Sequence, residues 1–251
     1  VKTLNATIQK LNGDGASGVL AQACGLDICI NGSTDQNGVV VTCDTSGTIC
    51  SPGIAPNTEI QRPAFKYGDG LGYVKFAELL PTTTEDYDLG IRMTAELPAV
   101  SAGVPMTAGS EATSGGVTLI LPAGGDIKID KLVFDTPELE GFRAAEVPIA
   151  QAPAAVDSTL GFEIIVGTTP LDTEFCPRAK LSVPNTPAWP AGTEVEVYIH
   201  GLLVDEEWAP YAGWAKVSDA TVSSDGTAVV TNDGDDQGIP ILATFGFRMK
   251  P

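Results

Sequence analysis

Short apolar runs, each closed by a turn rich in Gly, Pro, Asn or Asp, recur along this 251-residue chain. That rhythm constrains the fold more than any other feature. Residues 117–121, 127–134, 161–166, 179–183, 194–200, 214–222, 227–231 and 239–249 are such runs, as are 73–80 and 89–93 nearer the start. No stretch keeps the 3.6-residue apolar period of an amphipathic helix over several turns, and 28 Gly with 18 Pro supply the turn formers. The pattern predicts an all-β chain of antiparallel β-sandwich domains with immunoglobulin-like architecture. Only 139–145 and 205–209 read as single helical turns.

Two domains suit this length. A Gly/Pro-rich stretch over 98–116 divides the chain, so the reading is an N-terminal disulfide-containing β-domain over 1–97 and a second β-sandwich over 117–251. Within the first, 6–11, the turn 12–15 and 18–23 read as strand, turn, strand. A hairpin is expected from 28–30 to 39–41, because Asn37-Gly38 suits the two positive φ angles of a type I′ turn.

Cys24, Cys29, Cys43 and Cys50 fall close together, and Cys176 stands alone. The spacings lack C-x-x-C knuckles and the chain has a single histidine, His200, so a zinc knot is a poor fit. Two local disulfides, Cys24–Cys29 and Cys43–Cys50, are preferred over the nested pairing Cys24–Cys50 with Cys29–Cys43, which stays open. Disulfides persist in oxidising compartments, and the start at Val1 without an apolar leader fits a mature exported chain. The expected location is secreted, extracellular or cell-surface. Cys176 reads as a buried free thiol or an interchain bridge rather than a nucleophile.

Fourteen Lys and Arg stand against 32 Asp and Glu, a net charge of −18. Such a surface repels nucleic-acid phosphates and anionic headgroups, so nucleic acid is excluded as a partner class. No apolar run reaches the roughly 20 residues needed to span a bilayer as a helix.

Serine- and cysteine-type hydrolysis usually needs an imidazole base, and His200 sits at the end of an apolar strand, where a structural role is the simpler reading. Asp69, Glu78, Glu85, Asp86, Asp88, Glu206 and Glu207 supply carboxylates for a glycosidase pair, but acidity for solubility explains them as well. Gly68-Asp69-Gly70-Leu71-Gly72 lacks the pattern of a dinucleotide loop and reads as a turn. No catalytic residue is assigned, and the chain is read as a non-enzyme.

Asn232, Asp233, Asp235 and Asp236 form the best candidate for a metal, a weak Ca²⁺ site, although Thr244 stands where an EF-hand loop needs its bidentate Glu. No other cofactor is indicated. Trp208, Tyr211 and Trp214 near acidic residues are candidates for gripping a sugar ring or another ligand, with core packing as the alternative. Asn5 and Asn31 begin N-glycosylation patterns, which are frequent by chance.

Strict alternation over 241–249 puts Ile241, Ala243, Phe245, Phe247 and Met249 on one face, expected of a strand with one buried side. It pairs in its own sheet or completes a neighbour's by strand addition, which makes it a candidate assembly strand.

The run Gly18-Val19-Leu20 through Cys24, Cys29 and Thr34-Asp35-Gln36-Asn37-Gly38-Val39 resembles the carboxypeptidase regulatory-like, immunoglobulin-type modules of bacterial surface proteins. The run Gly115-Gly116-Val117-Thr118-Leu119-Ile120-Leu121-Pro122-Ala123-Gly124 resembles the opening strand of the β-sandwich of ankyrins, netrin receptors and many large bacterial surface proteins. The resemblances imply a secreted bacterial surface protein of non-catalytic modules and carry no functional residues onto this chain. The expected function is structural, a filament or surface-layer subunit that partners itself or other surface proteins. The alternative is an adhesion module that binds glycans or another ligand, assisted by calcium.

Overall fold

The computed structural model describes residues 4–24, 29–41, 64–80, 87–203 and 207–251. Among the described residues, seven strands form before residue 98: β1 (Leu4–Lys10), β2 (Leu20–Cys24), β3 (Cys29–Ser33), β4 (Val39–Val41), β5 (Ala64–Tyr67), β6 (Phe76–Leu79) and β7 (Tyr87–Thr94). The next six are β8 (Glu111–Ser114), β9 (Val117–Ile120), β10 (Asp126–Lys128), β11 (Arg143–Glu146), β12 (Ile164–Thr169) and β13 (Glu174–Pro184). The last five are β14 (Glu194–His200), β15 (Trp214–Val222), β16 (Ala228–Thr231), β17 (Ile239–Ile241) and β18 (Thr244–Met249). The chain is all-β. Its helical content among the described residues is three 3₁₀ turns, at Val100–Ala102, Ile149–Gln151 and Ser158–Leu160.

The first seven strands form a sandwich of two small sheets, ordered β4-β1-β7 and β3-β2-β5-β6. Ala6 and Ile8 of one sheet face Ala21, Ala23, Phe65, Tyr67 and Phe76 of the other in a shared apolar core. The β1–β7 pair is parallel, an exception to the antiparallel expectation, and its register slips between Asn5 and Thr7.

The hairpin expected at Asn37-Gly38 does not exist. β3 pairs with β2, whereas β4 pairs with β1, so the turn carries the chain from one sheet to the other. The turn chemistry explains the difference. The Asp35 carboxylate accepts hydrogen bonds from the backbone N–H groups of Asn37 and Val39, and only Gly38 takes a positive φ, of 80°. A type I′ turn needs two such angles. The strand, turn, strand reading of 6–23 likewise spans two sheets, with β1 and β2 on opposite layers.

The remaining strands form an 11-stranded sheet, ordered β11-β12-β18-β14-β15-β16-β13-β9-β8, with β10 and β17 also paired to β13. Its two ends approach each other, because a Cβ on Gly115, beyond β8, would lie 2.1 Å from the Ala144 carbonyl oxygen of β11. The sheet is therefore nearly closed into a barrel. Inside lie Leu119, Val166, Leu181, Val195, Val197, Ile199, Phe245 and Phe247.

The outer face of this sheet is also covered. Along β12, Ile164 and Val166 enter the barrel core while Ile165 enters the core of the N-terminal sandwich. Period-two alternation thus serves two cores at once. The C-terminal run departs from its expected pattern for the same reason. It is two strands, β17 and β18, and Leu242, Thr244 and Gly246 on its second face are buried as fully as Phe245 and Phe247 on the first. Gly246 lets the Phe162 ring lie against the backbone, since a Cβ there would meet the ring at 2.6 Å.

Residues 139–145 are not helical, since 143–145 belong to β11, and of the expected run 127–134 only 127–128 are in a strand, β10, while 131–133 form a turn. Of 205–209, residues 207–209 form a bend and the rest lie outside the described residues. Glu111–Ser114, inside the Gly/Pro-rich stretch, is a strand that pairs with β9.

Candidate functional site

Two places gather chemically capable side chains: the seam between the sandwich and the barrel-like sheet, and a cleft beside Trp208. The seam is built on a ladder of rings. Phe65, Tyr67 and Phe76 stack at centroid spacings of 5.5 and 5.8 Å, and Phe76 lies 6.2 Å from His200. His200 stacks on Trp214 at 4.4 Å, Trp214 meets Phe162 at 4.9 Å, and Phe162 meets Tyr198 at 5.3 Å. The Arg248 guanidinium closes the row 4.8 Å above the Tyr198 ring.

His200 is completely buried. Its Nε2 accepts the Ala77 N–H at 3.0 Å, which fixes the tautomer, and Nδ1–H then donates to the Gly213 carbonyl at 2.8 Å. Burial disfavours the imidazolium and pulls the pKa down to about 4, against the smaller opposing effect of the two backbone hydrogen bonds. With both nitrogens engaged and no solvent access, this imidazole is a clamp between β6 and β14, not a general base.

Further bonds cross the same seam. Thr244 Oγ1 donates to the Lys75 carbonyl at 2.8 Å, and Thr169 Oγ1 donates to that of Gly70. Buried Arg143 donates through Nη1 to the carbonyls of Leu71 and of Pro98, the latter at 3.1 Å. Its Nε and Nη2 have no partner among the described residues. Arg143 and Phe162 were not singled out from sequence, and no local signal marks them, because every partner is remote in the chain.

The three aromatic candidates separate. Trp214 belongs to the ladder and donates from Nε1 to the Ala155 carbonyl at 3.1 Å. Tyr211 is buried, Lys66 Nζ lies 4.8 Å from its ring centre, and desolvation pushes its phenol up to about 12. Trp208 lines an open cleft of about 800 Å³, with Phe175, Ile241, Glu207, Asp235 and Cys176 among its walls, whereas Trp214 borders a separate one of about 520 Å³ beside Ala155. Arg178 holds Trp208 in place: its guanidinium lies 5.1 Å from the ring centre, and Nη1 donates to the carbonyls of Val217 at 2.9 Å and Asp236 at 2.6 Å. Cys176 is a free, exposed thiol, which corrects the expectation that it is buried.

The loop 232–238 does not converge on one point. Asp233 pairs with Lys180, Asn232 Oδ1 accepts from Thr221 Oγ1 at 2.8 Å, and Asp235 faces the Trp208 cleft. Asp236 contributes its backbone carbonyl to Arg178. Among the described residues no group of three or more His, Cys, Asp or Glu is placed to hold a metal ion.

Of the glycosidase candidates, Asp69 Oδ1 accepts three backbone N–H groups, from Leu71, Gly72 and Tyr73. Glu78 pairs with Arg92 at 2.5 Å, and Asp88 accepts the Gly90 N–H. These three carboxylates hold turns and strands together. Glu85, Asp86 and Glu206 lie outside the described residues, as do Cys43 and Cys50. Cys24 and Cys29 form a disulfide across the β2–β3 pair, with Cα atoms 4.0 Å apart.

In the candidate assembly strand, Ile241 belongs to β17 and pairs with Glu174 of β13. Phe245 and Phe247 lie in β18 between β12 and β14, Ala243 is buried between the two strands, and Met249 is 45% exposed. Among the described residues no helix is long and apolar enough to cross a membrane.

No family model and no curated protein matches the chain. Among solved structures it is similar to the full-length major pilin SpaD of Corynebacterium diphtheriae, at 11% identity and a TM-score of 0.24, over 98% of this chain and 55% of that one. It is also similar to a D312A form of BcpA, the major pilin subunit of Bacillus cereus, at 10% identity and a TM-score of 0.24, over 99% of this chain and 58% of that one. The chain spans little more than half the length of each pilin.

Proposed function

We propose that this chain is a secreted, non-enzymatic structural protein of a bacterial surface or extracellular matrix, working as a subunit that associates with its own copies. The observation that carries the reading is the seam. The chain's one imidazole, its ring ladder and a buried arginine are all committed to joining two β-modules, 1–97 and 117–251, into one stiff body. Stiffness transmitted through packed side chains suits a load-bearing part. The Cys24–Cys29 disulfide suits an oxidising, extracellular setting. In this reading the N-terminal module is of the carboxypeptidase regulatory-like, immunoglobulin type and the second of the ankyrin and netrin-receptor type.

Copies associate by exchange of the N-terminal strand. Extracting β18 would dismantle the barrel core, because Phe245 and Phe247 are fully buried in it. Extracting β1 opens the layer β4-β1-β7 and withdraws Ala6 and Ile8 from the sandwich core, but takes no residue from the barrel core. Light scattering with negative-stain imaging of the non-reduced protein tests both parts. Polymers that disappear on deletion of residues 1–11 support exchange through β1. Polymers that survive the deletion retain assembly and remove the strand, and a monomer at high concentration sinks the whole reading.

A second reading, a ligand-binding adhesion module, is favoured by one observation: Trp208 and Asp235 share a single cleft. Binding of glycans with and without calcium, read by calorimetry on the parent and on Trp208→Ala, separates it from the first.

A further inference from the structure

The Trp208 cleft has chemistry that assembly does not use. Its volume of about 800 Å³ lies in the range of about 300–1,000 Å³ usual for ligand pockets. Phe175, Pro240, Ile241, Leu203 and Trp208 supply apolar wall. The charged lining is unbalanced: Asp126, Asp172, Glu174, Glu207 and Asp235 against Lys128 and Arg178.

Both cations are already engaged. Lys128 Nζ lies 3.0 Å from each carboxylate oxygen of Glu174, and Arg178 is bonded to two carbonyls and stacked on Trp208. Asp126, Glu207 and Asp235 are exposed and have no ion pair among the described residues. They do not gather into a metal cluster either. Dispersed carboxylates beside an apolar wall match a long side chain with a cationic head and an aliphatic stem.

A second copy of this chain is a poor occupant. Its most exposed apolar side chain, Leu132 at 95%, follows Lys131, but that cation is already paired with Glu140, Asp130, Asp135 and Glu138 stand close by in sequence, and the whole chain carries −18. Like charges would oppose that docking.

We propose that the Trp208 cleft binds a basic segment of a different polypeptide. A Lys or Arg side chain sits among Asp126, Glu207 and Asp235, and an apolar neighbour packs against Phe175 and Ile241. None of the cleft's lining residues comes from β1 or its sheet, so the site does not use the strand proposed for exchange.

The test uses the full chain and a fluorescein-labelled Gly-Lys-Leu-Lys-Val-Gly peptide, with a Glu-for-Lys peptide as its counterpart, read by anisotropy at physiological salt. The basic peptide binds and its acidic counterpart does not. The triple substitution Asp126→Asn, Glu207→Gln, Asp235→Asn, all at exposed positions, weakens binding about tenfold or more. Trp208→Ala does the same, while Glu111→Gln with Glu163→Gln, outside the cleft, leaves affinity unchanged. Cys176 reports occupancy directly: bound peptide slows its alkylation by iodoacetamide at least fivefold, read by mass spectrometry of the Cys176 peptide. No binding, equal binding by the triple variant, or unprotected Cys176 overturns the proposal. Spermidine competing as well as the peptide overturns its polypeptide part and assigns the cleft to free polycations.

Discussion

The two larger apolar cores among the described residues are built differently. The barrel core draws its buried residues only from positions beyond 110, on the strands that surround it and the loops that join them. The sandwich core is incomplete without the other half, because Val147, Ala155, Val156, Phe162 and Ile165 enter it from the segment leading into and along β12. One core closes on itself, and the other is closed by its neighbour. The comparison teaches that a module boundary drawn through the chain is not a boundary of stability, since buried area is shared across it.

The strongest way to break this comparison is to separate the halves. Expressed alone, residues 1–97 show no cooperative thermal transition by circular dichroism, whereas residues 98–251 keep one at a lowered temperature. A sharp transition in the isolated 1–97 piece would show that the borrowed residues are dispensable.

Next in size is Phe162→Ala. Phe162 is 4% exposed, and its ring touches Tyr198, Trp214 and the Gly246 backbone. Truncating a buried aromatic typically costs about 3–5 kcal/mol. Denaturant titration measures the loss. Hydrogen exchange sharpens it, because amides of β2, β5 and β6 lose protection before those of β13 and β14. Uniform loss in both halves would mean that they unfold as one unit.

This sharing also marks what the sequence could and could not disclose. Strands β14 and β15 coincide with the runs 194–200 and 214–222, because cross-strand packing selects apolar and β-branched residues locally. Which face is solvated is not a local property. The alternation at 241–249 describes a strand correctly but not its second buried face, since the covering residues, Lys75 and Phe162, are far away in the chain. Asn37-Gly38 marks a turn, yet turn residues do not say which earlier strand receives the next one. The aromatic trio was legible as large side chains near acids. Only the fold separates Trp208, in the cleft beside Phe175 and Ile241, from buried Tyr211 and from half-buried Trp214, whose ring stacks on His200.

His200 gives a third test, of pH. Its folded pKa is about 4 and its unfolded value 6.5. Between these values the unfolded chain holds the proton and the folded chain does not, so stability falls as pH drops from 6.5 towards 4 and levels off below. The full difference is about 3 kcal/mol. His200→Gln keeps an acceptor for the Ala77 N–H and removes the titration, so its stability-versus-pH curve is flatter than the parent's across that window. Parallel curves would mean that the imidazole takes up its proton over the same pH range in both states, and the clamp would then contribute nothing to pH sensitivity.

The smallest effect belongs to the disulfide. Cys24 and Cys29 are 5 residues apart, so the closed loop is short and its removal restores little entropy to the unfolded chain. Loop-closure reasoning gives about 2 kcal/mol. The loss in a Cys24→Ala, Cys29→Ala double variant should appear in the sandwich, as earlier exchange of the β2 and β3 amides, while the barrel strands keep their protection. If the barrel strands lost protection equally, the seam would be transmitting the whole effect. Sandwich and barrel would then be two cores with a single stability, and the asymmetry in how their residues are shared would have no energetic consequence.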